Sequence, residues 1–308
     1  MFVLCSEIKI GRLSFEWANE VRIVHGGRSL TDTCTIQLPQ NVRLKDSDLK
    51  AIVRQNDKVT VRLGYNGVLY TEFNGYVVRT EPGVPFKIHC EDDAWLLKQK
   101  PITKSFRSPT LAEIIAAMDL PIPYVVIDMK FGAFRLNAIT AAMALEQLQQ
   151  KFGIDSSIHE GTLYVGVSPP HGKEVKLNVQ YNVVTSNLSY RFKSETAVKV
   201  VCLSLMPNNE IIEATAGQGG EEIRRVYYRI DQNQLQATAD NLLSKYQYDG
   251  YRGDITTFGE PYLQYNDRVY LQDEAYPERA GLYDIESIDT VFGVNGFRRT
   301  IKIGAKHE

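Results

Sequence analysis

One strand pattern occurs twice in this chain, and the repetition narrows what the chain can fold into more than any other feature. The first copy reads Asn56-Asp57-Lys58-Val59-Thr60-Val61-Arg62-Leu63, passes Gly67, continues as Phe73-Asn74-Gly75-Tyr76-Val77-Val78, turns at Gly83 and closes with Phe86-Lys87-Ile88-His89-Cys90. About 210 residues later the second reads Asn266-Asp267-Arg268-Val269-Tyr270-Leu271, then Gly281-Leu282-Tyr283-Asp284-Ile285-Glu286-Ser287-Ile288, turns at Gly293 and Gly296, and ends Arg299-Thr300-Ile301-Lys302-Ile303. In each, Asn-Asp marks a turn because a short polar side chain bonds its own backbone, and period-two alternation starts at the valine. Each copy therefore predicts three strands with matched spacing. A generic antiparallel meander offers the same order of turn, strand, glycine and strand, so chance similarity is the competing explanation.

At 308 residues the chain has room for two domains, or two and an inserted piece, each with its own core. Hydrophobic residues at 44% and charged residues at 23% fit an ordinary globular protein, and no run approaches the length of a membrane helix. The opening Met1-Phe2-Val3-Leu4-Cys5 has no basic start and too short an apolar run for a lipoprotein signal, which predicts no signal peptide. The cysteines at 5, 34, 90 and 202 show no paired spacing, and the last three lie in strand-like contexts where a thiol acts as a small hydrophobe, as expected of folding in a reducing compartment. A net charge of −2 gives no electrostatic reason to bind nucleic acid or anionic lipid. The pairs Arg224-Arg225 and Arg298-Arg299 read as solvated strand positions.

Residues 7–38 read as strands, with Ile8, Ile10, Leu13, Val21, Ile23, Val24, Cys34, Ile36 and Leu38 as apolar positions and a turn at Gly26-Gly27; a short helix is expected around Ser47 to Val53. With the first repeat these make a β-barrel of about six strands ending near Asp93. Thr110-Leu111-Ala112-Glu113 is a capping box opening a helix with Leu111, Ile114, Ile115 and Met118 inward, stopped by Pro121 and Pro123 before a strand from Tyr124 to Ile127. A second helix is predicted from Ala138 to Phe152, with Ile139, Ala142, Met143, Leu145, Leu148 and Phe152 inward and Gly153 as its cap. A hairpin follows, Ile154 to His159 and Thr162 to Val167 about a Glu160-Gly161 turn. Pro169-Pro170-His171-Gly172 is a linker, after which strands are expected at Leu188 to Phe192, Val198 to Leu205, Ile211 to Thr215, Ile223 to Ile230 and Tyr251 to Phe258, with a helix from Gln234 to Tyr246. The fold class expected is mainly β, with two similar tube-like β-barrels, residues 1–95 and 173–308, flanking a small α/β insertion at 96–172.

This order of parts, with Ala237-Thr238-Ala239-Asp240-Asn241-Leu242-Leu243 leading to Gly259-Glu260-Pro261-Tyr262-Leu263 and Asn266-Asp267-Arg268-Val269, resembles the phage late-control D and tail baseplate hub family, also seen in the hub portion of type VI secretion spike proteins. The likeness spans nearly the whole chain and rests on structural punctuation rather than catalytic residues. It implies a non-enzymatic structural hub of a phage or prophage tail, or of a related contractile injection system, located in the virion tail and assembled in the bacterial host cytoplasm. It further implies a homotrimer whose paired barrels form a pseudo-hexameric ring joining the tail tube protein to a central spike protein. Two equivalent domains in each of three subunits would independently present six similar faces. DNA would pass through the lumen without sequence-specific binding, and no stable membrane insertion is implied. Because the sequence stops at Glu308 after the second repeat, the spike is expected to be a separate protein.

No catalytic, cofactor-binding or metal-binding residue is assigned. His25-Gly26-Gly27 resembles an oxyanion loop but has no Gly-x-Ser-x-Gly elbow with it, and reads as a hairpin turn. Glu91-Asp92-Asp93 lacks the interleaved ligands of a calcium loop and reads as a solvated edge. The histidines at 25, 89, 159, 171 and 307 are not at metal-ligand spacing. Gly217-Gln218-Gly219-Gly220 has no Lys-Ser/Thr after it, so it reads as a mobile hairpin tip rather than a phosphate cradle. Tyr246, Tyr248, Tyr251, Tyr262, Tyr265, Tyr270, Tyr276 and Tyr283 crowd the last barrel, either for cross-strand packing or as a contact surface. That crowding leaves a two-domain carbohydrate-binding or adhesin module as the rival reading, with a cell-wall hydrolase disfavoured for want of a paired-carboxylate or Cys-His constellation.

Overall fold

A computed structural model describes residues 3–26, 29–39, 52–206 and 210–307. Strand makes up 53% of the described residues and helix 16%, so the protein is mainly β as its alternation predicts. The strands begin with β1 (Leu4–Ile10), β2 (Leu13–Phe15), β3 (Glu20–Gly26), β4 (Thr33–Leu38), β5 (Lys58–Tyr65), β6 (Val68–Glu81) and β7 (Phe86–Glu91). Next come β8 (Pro101–Phe106), α1 (Leu111–Ala116), β9 (Tyr124–Val126), β10 (Phe134–Thr140), α2 (Ala141–Phe152), β11 (Ser156–His159) and β12 (Thr162–Val165). The chain continues with β13 (Glu174–Asn178), β14 (Val183–Ser186), β15 (Ser189–Arg191), β16 (Val198–Leu205), β17 (Ile211–Gly217), β18 (Glu221–Tyr228) and α3 (Gln232–Tyr246). It closes with β19 (Gly250–Phe258), β20 (Arg268–Gln272), β21 (Gly281–Gly293) and β22 (Gly296–His307). The helix expected around Ser47 to Val53 falls mostly outside the described residues.

Two compact units emerge. One gathers residues 1–95, 171–188 and 253–304; the other gathers 96–170, 189–252 and 305–308. Residues 173–308 are therefore divided between the two units rather than gathered in one. Backbone pairing is the reason: β21, from the second repeat, lies antiparallel to β3, with Val21 opposite Phe292 and Ile23 opposite Thr290. The ladder of the first unit thereby runs without interruption from β14 through β19, β22, β21, β3, β4, β7, β6, β5 and β1 to β2, while β20 attaches to β21 and β13 to β20.

Both repeats form the three strands their sequences predict, β5-β6-β7 and β20-β21-β22. Both open on the same device. Asp57 Oδ2 accepts from the Arg54 amide at 2.8 Å, and Asp267 Oδ2 accepts from the Gln264 amide at 2.8 Å. The copies then diverge: β5 takes β1 as an antiparallel neighbour, and β20 takes β13 in parallel. Alternation sets the burial, as in β7, where Phe86, Ile88 and Cys90 are inside and Lys87, His89 and Glu91 are not. The core of Ile8, Ile23, Ile36, Val61, Leu63 and Ile88 also receives Phe292 and Phe297 from the second repeat. Each such side chain is worth about 1.5–3 kcal/mol when fully buried.

In the second unit the Thr110/Glu113 capping box forms as its spacing predicts, and Leu111, Ile114, Ile115 and Met118 are buried. Helix α2 starts at Ala141, because residues 138–140 stay in β10 and Thr140 supplies the cap. Its inner face is accordingly Ala141, Ala144, Leu145 and Leu148, and Met143, expected inside, is exposed. The hairpin β11-β12 turns through Glu160 and Gly161, both at positive φ. Helix α3 begins two residues earlier than its apolar stripe suggests, since Asp231 caps the amides of Asn233 and Gln234 at 3.0 Å each. It packs Leu235 and Ala239 on Val198, Val200 and Cys202 of β16.

The glycine segment at 217–220 is not a hairpin tip. Strands β17 and β18 flank β16 on opposite sides, the first antiparallel and the second parallel, so the segment carries the chain across the end of β16. A Cβ at Gly217 would lie 2.1 Å from the Val198 carbonyl oxygen, and one at Gly220 1.8 Å from that of Ala197. Glycine is needed there for close backbone approach.

Candidate functional site: an ionic bridge between the two repeats

The first unit encloses a charged group that the hydrophobic pattern does not announce. Val61 of β5 faces Phe73 of β6 while Arg62 faces Thr71, so Glu72 between them is a β-bulge. A bulge releases a residue from the ladder and re-aims its side chain. The Glu72 carboxylate turns inward to the guanidinium of Arg299 on β22, and the two side chains are 4% and 1% exposed. Arg299 Nη1 donates to the carbonyls of Gly259 and Pro261, the latter at 3.3 Å. Its guanidinium carbon sits 5.1 Å from the Phe297 ring centroid and 5.3 Å from that of Tyr262. Burial pushes the Glu72 carboxyl above its ordinary range despite the attraction of Arg299 and His25. Arg299, expected to be solvated, is instead fully buried, because the bulge on the first repeat and the Gly259 to Tyr262 turn before the second supply its partners.

The Gly259-Glu260-Pro261-Tyr262 turn closes over this pair. A Cβ at Gly259 would fall 2.2 Å from the Phe297 ring, so only glycine lets the turn approach. Tyr65 of β5 accepts from the Gly259 amide at 3.3 Å and donates to the Phe297 carbonyl at 3.3 Å. The Tyr262 ring stacks on Tyr70 at 4.3 Å, and its hydroxyl donates to the Thr71 carbonyl at 2.9 Å. Burial raises that phenol to about 12.

The bulge also frees the Glu72 carbonyl, and His25 of β3 takes it up. Nε2 lies 2.9 Å from that oxygen and Nδ1 lies 2.8 Å from Asp32 Oδ2. Both ring nitrogens face acceptors, so the geometry calls for the imidazolium. Burial alone would lower the His25 pKa, but Asp32 and the Glu72 carbonyl outweigh it and raise it above 6.5. Asp32 Oδ1 also accepts from the Gly26 amide at 2.9 Å. Asp92, read from sequence as part of a solvated edge, has its carboxyl pushed up to about 8 by burial and the neighbouring Asp32 charge. A more exposed ion pair, Arg22 with both oxygens of Asp289 at 3.1 and 2.6 Å, spans the β3–β21 seam.

The arrangement is suited to holding strands together. With both nitrogens of His25 engaged, no ring lone pair is available to take a proton from a substrate. Gly27 lies outside the described residues, and His25 serves here as a staple rather than as part of an oxyanion loop. Other residues singled out from sequence lie apart, except that Cys34 of β4 stands directly opposite Cys90 of β7. Cys34, Cys90 and Cys202 are buried free thiols, Tyr251 and Tyr283 are core, and Tyr276 is exposed against Arg279 at 3.8 Å. Among the described residues no three His, Cys, Asp or Glu side chains converge as metal ligands, and no helix is long and apolar enough to cross a membrane. Sequence reasoning missed Glu72 and Arg299. The available signal was a carboxylate inside the apolar run of β6 and an arginine at an inward position of β22.

No protein-family model and no curated protein matches the chain. Its fold is shared with solved structures over nearly its full length. A prophage MuSo2 43 kDa tail protein from Shewanella oneidensis superposes with a TM-score of 0.63 at 14% identity, covering 98% of this chain and 96% of that one. A tail protein from Neisseria meningitidis gives 0.65 at 13% identity, covering 99% and 97%. An Escherichia coli protein described as a component of the type VI secretion system gives 0.60 at 9% identity, covering 98% of this chain and 77% of that one.

Proposed function

We propose that the protein is a structural, non-enzymatic hub of a phage or prophage tail baseplate, or of a related contractile injection system, and acts in the virion tail. In this reading each strand repeat with its neighbours forms one tube-like barrel. The first is built on residues 1–95, the second on the strands of 173–308 outside 189–252. Three copies then set six similar barrels in a ring that joins a sixfold tail tube to a threefold central spike. The observation that carries the reading is the β3–β21 ladder, which joins the two repeats edge to edge in one continuous sheet, as successive segments of a ring wall would be. The shared fold with proteins described as tail proteins and as a secretion-system component supports it.

Light scattering coupled to size exclusion tests it, over a range of concentrations and with the candidate spike protein added. A mass near three times 34.9 kDa, alone or with the spike, is expected. A persistent monomer under both conditions overturns the trimeric ring.

A further inference from the structure

The second compact unit contains a groove with an open strand edge. Among the described residues β8 pairs with β10 alone, so its far edge presents backbone N–H and C=O groups with no ladder partner. Lys104 stands opposite Leu136 and Phe106 opposite Phe134, which places Lys104 and Phe106 on one face. On that side Lys104, Phe106, Arg107 and Pro109, with Ala116 and Ala117 from the α1 region, line a cavity of about 520 Å³. Ala116 and Ala117 contribute small apolar side chains to that lining. The rim is cationic: Lys104 lies 5.6 Å from the Phe106 ring centroid, and neither Lys104 nor Arg107 makes an ion pair among the described residues. The remaining polar lining is engaged, since Glu113 accepts from the Thr110 amide at 2.7 Å and the Ser108 hydroxyl donates to the Phe131 carbonyl at 3.3 Å.

We propose that this groove docks an extended acidic segment of a partner protein, added as a strand along the free edge of β8. Its backbone would continue the ladder, its carboxylates would meet Lys104 and Arg107, and a small apolar side chain would rest on Phe106, Ala116 and Ala117. A second copy of this chain is a poorer occupant, because two β8 edges brought together about a twofold axis would set Lys104 and Arg107 against their own counterparts. The inference is independent of the ring.

The test is a selection of random displayed peptides on the full chain, with depletion on the Lys104→Glu/Arg107→Glu variant. Both positions are exposed, so the variant should melt as wild type does. Enriched peptides are expected to alternate Asp or Glu with small or β-branched residues. A synthetic peptide of that sequence should bind wild type at least about tenfold tighter than the variant, more weakly as salt rises, and should slow amide exchange at residues 101–106. Failure to enrich peptides that distinguish the two proteins overturns the proposal, as does slowed exchange elsewhere with 101–106 unchanged. So does a poly-dT oligonucleotide that binds wild type and not the variant, which would assign the groove to nucleic acid. Self-association of the wild type that the variant abolishes would assign it to a second copy.

Discussion

Glu72 and Arg299 illustrate how a buried ion pair trades stability for fixed geometry. Removing both from water costs several kcal/mol, which their attraction offsets only when the remaining hydrogen bonds are made. Here the Gly259 and Pro261 carbonyls accept from Arg299 Nη1, while its buried Nε has no partner among the described residues. Arg299→Met should therefore destabilise the protein by about 3–5 kcal/mol by stranding the Glu72 charge. The Glu72→Met/Arg299→Met double variant should lose much less, and urea unfolding of the three proteins checks both statements. Protonation gives a second residue-scale test. An unfolded Asp92 ionises near 3.8 while the folded one holds its proton to about 8, so stability falls as pH rises between those values. The His25 contribution is complete below 6.5 and is lost as pH rises through its higher folded pKa. Both act in the same direction. Asp92→Asn should melt close to wild type at about pH 3.5 and increasingly above it as pH rises toward about 8, as read by thermal scans.

At the scale of elements, most boundaries were legible because they depend on neighbours in sequence. The Thr110/Glu113 box, the Glu160-Gly161 turn and the alternation of β4, β5 and β7 each act within a few residues. Helix α2 began late because Ile139 and Thr140 pair with β8, a contact no local pattern encodes. The glycine segment at 217–220 was misread for the same reason: whether two strands form a hairpin or flank a third is a nonlocal choice. The repeated Asp turn offers a comparison between copies. Asp57 is partly exposed, whereas Asp267 is 5% exposed and also accepts from the Lys173 amide at 2.9 Å. Asp57→Ala should cost about 1 kcal/mol and Asp267→Ala about 2–3 kcal/mol, since the latter leaves two amides without their acceptor in a buried place. Denaturant midpoints of the two variants measure the difference.

For the whole molecule the consequential contact is the β3–β21 seam. It places Phe292 and Phe297 in the core of the first repeat and brings Arg299 to Glu72, so residues 1–95 by themselves lack part of their interior. A fragment of 1–95 should show no cooperative thermal transition, whereas the full chain should unfold the first unit in one step; calorimetry distinguishes the two.

By itself, the sequence determined the mainly β class, the two matched three-strand repeats, the helix that opens at Leu111 and the helix that ends at Phe152, because turn chemistry, capping and alternation are local interactions. Only the tertiary structure decided that the repeats share one sheet, that residues 189–252 group with 96–170, and that Arg299 is buried. Those outcomes depend on which strand edges meet, and a bulge that moves one carboxylate inward can turn a surface arginine into a core residue.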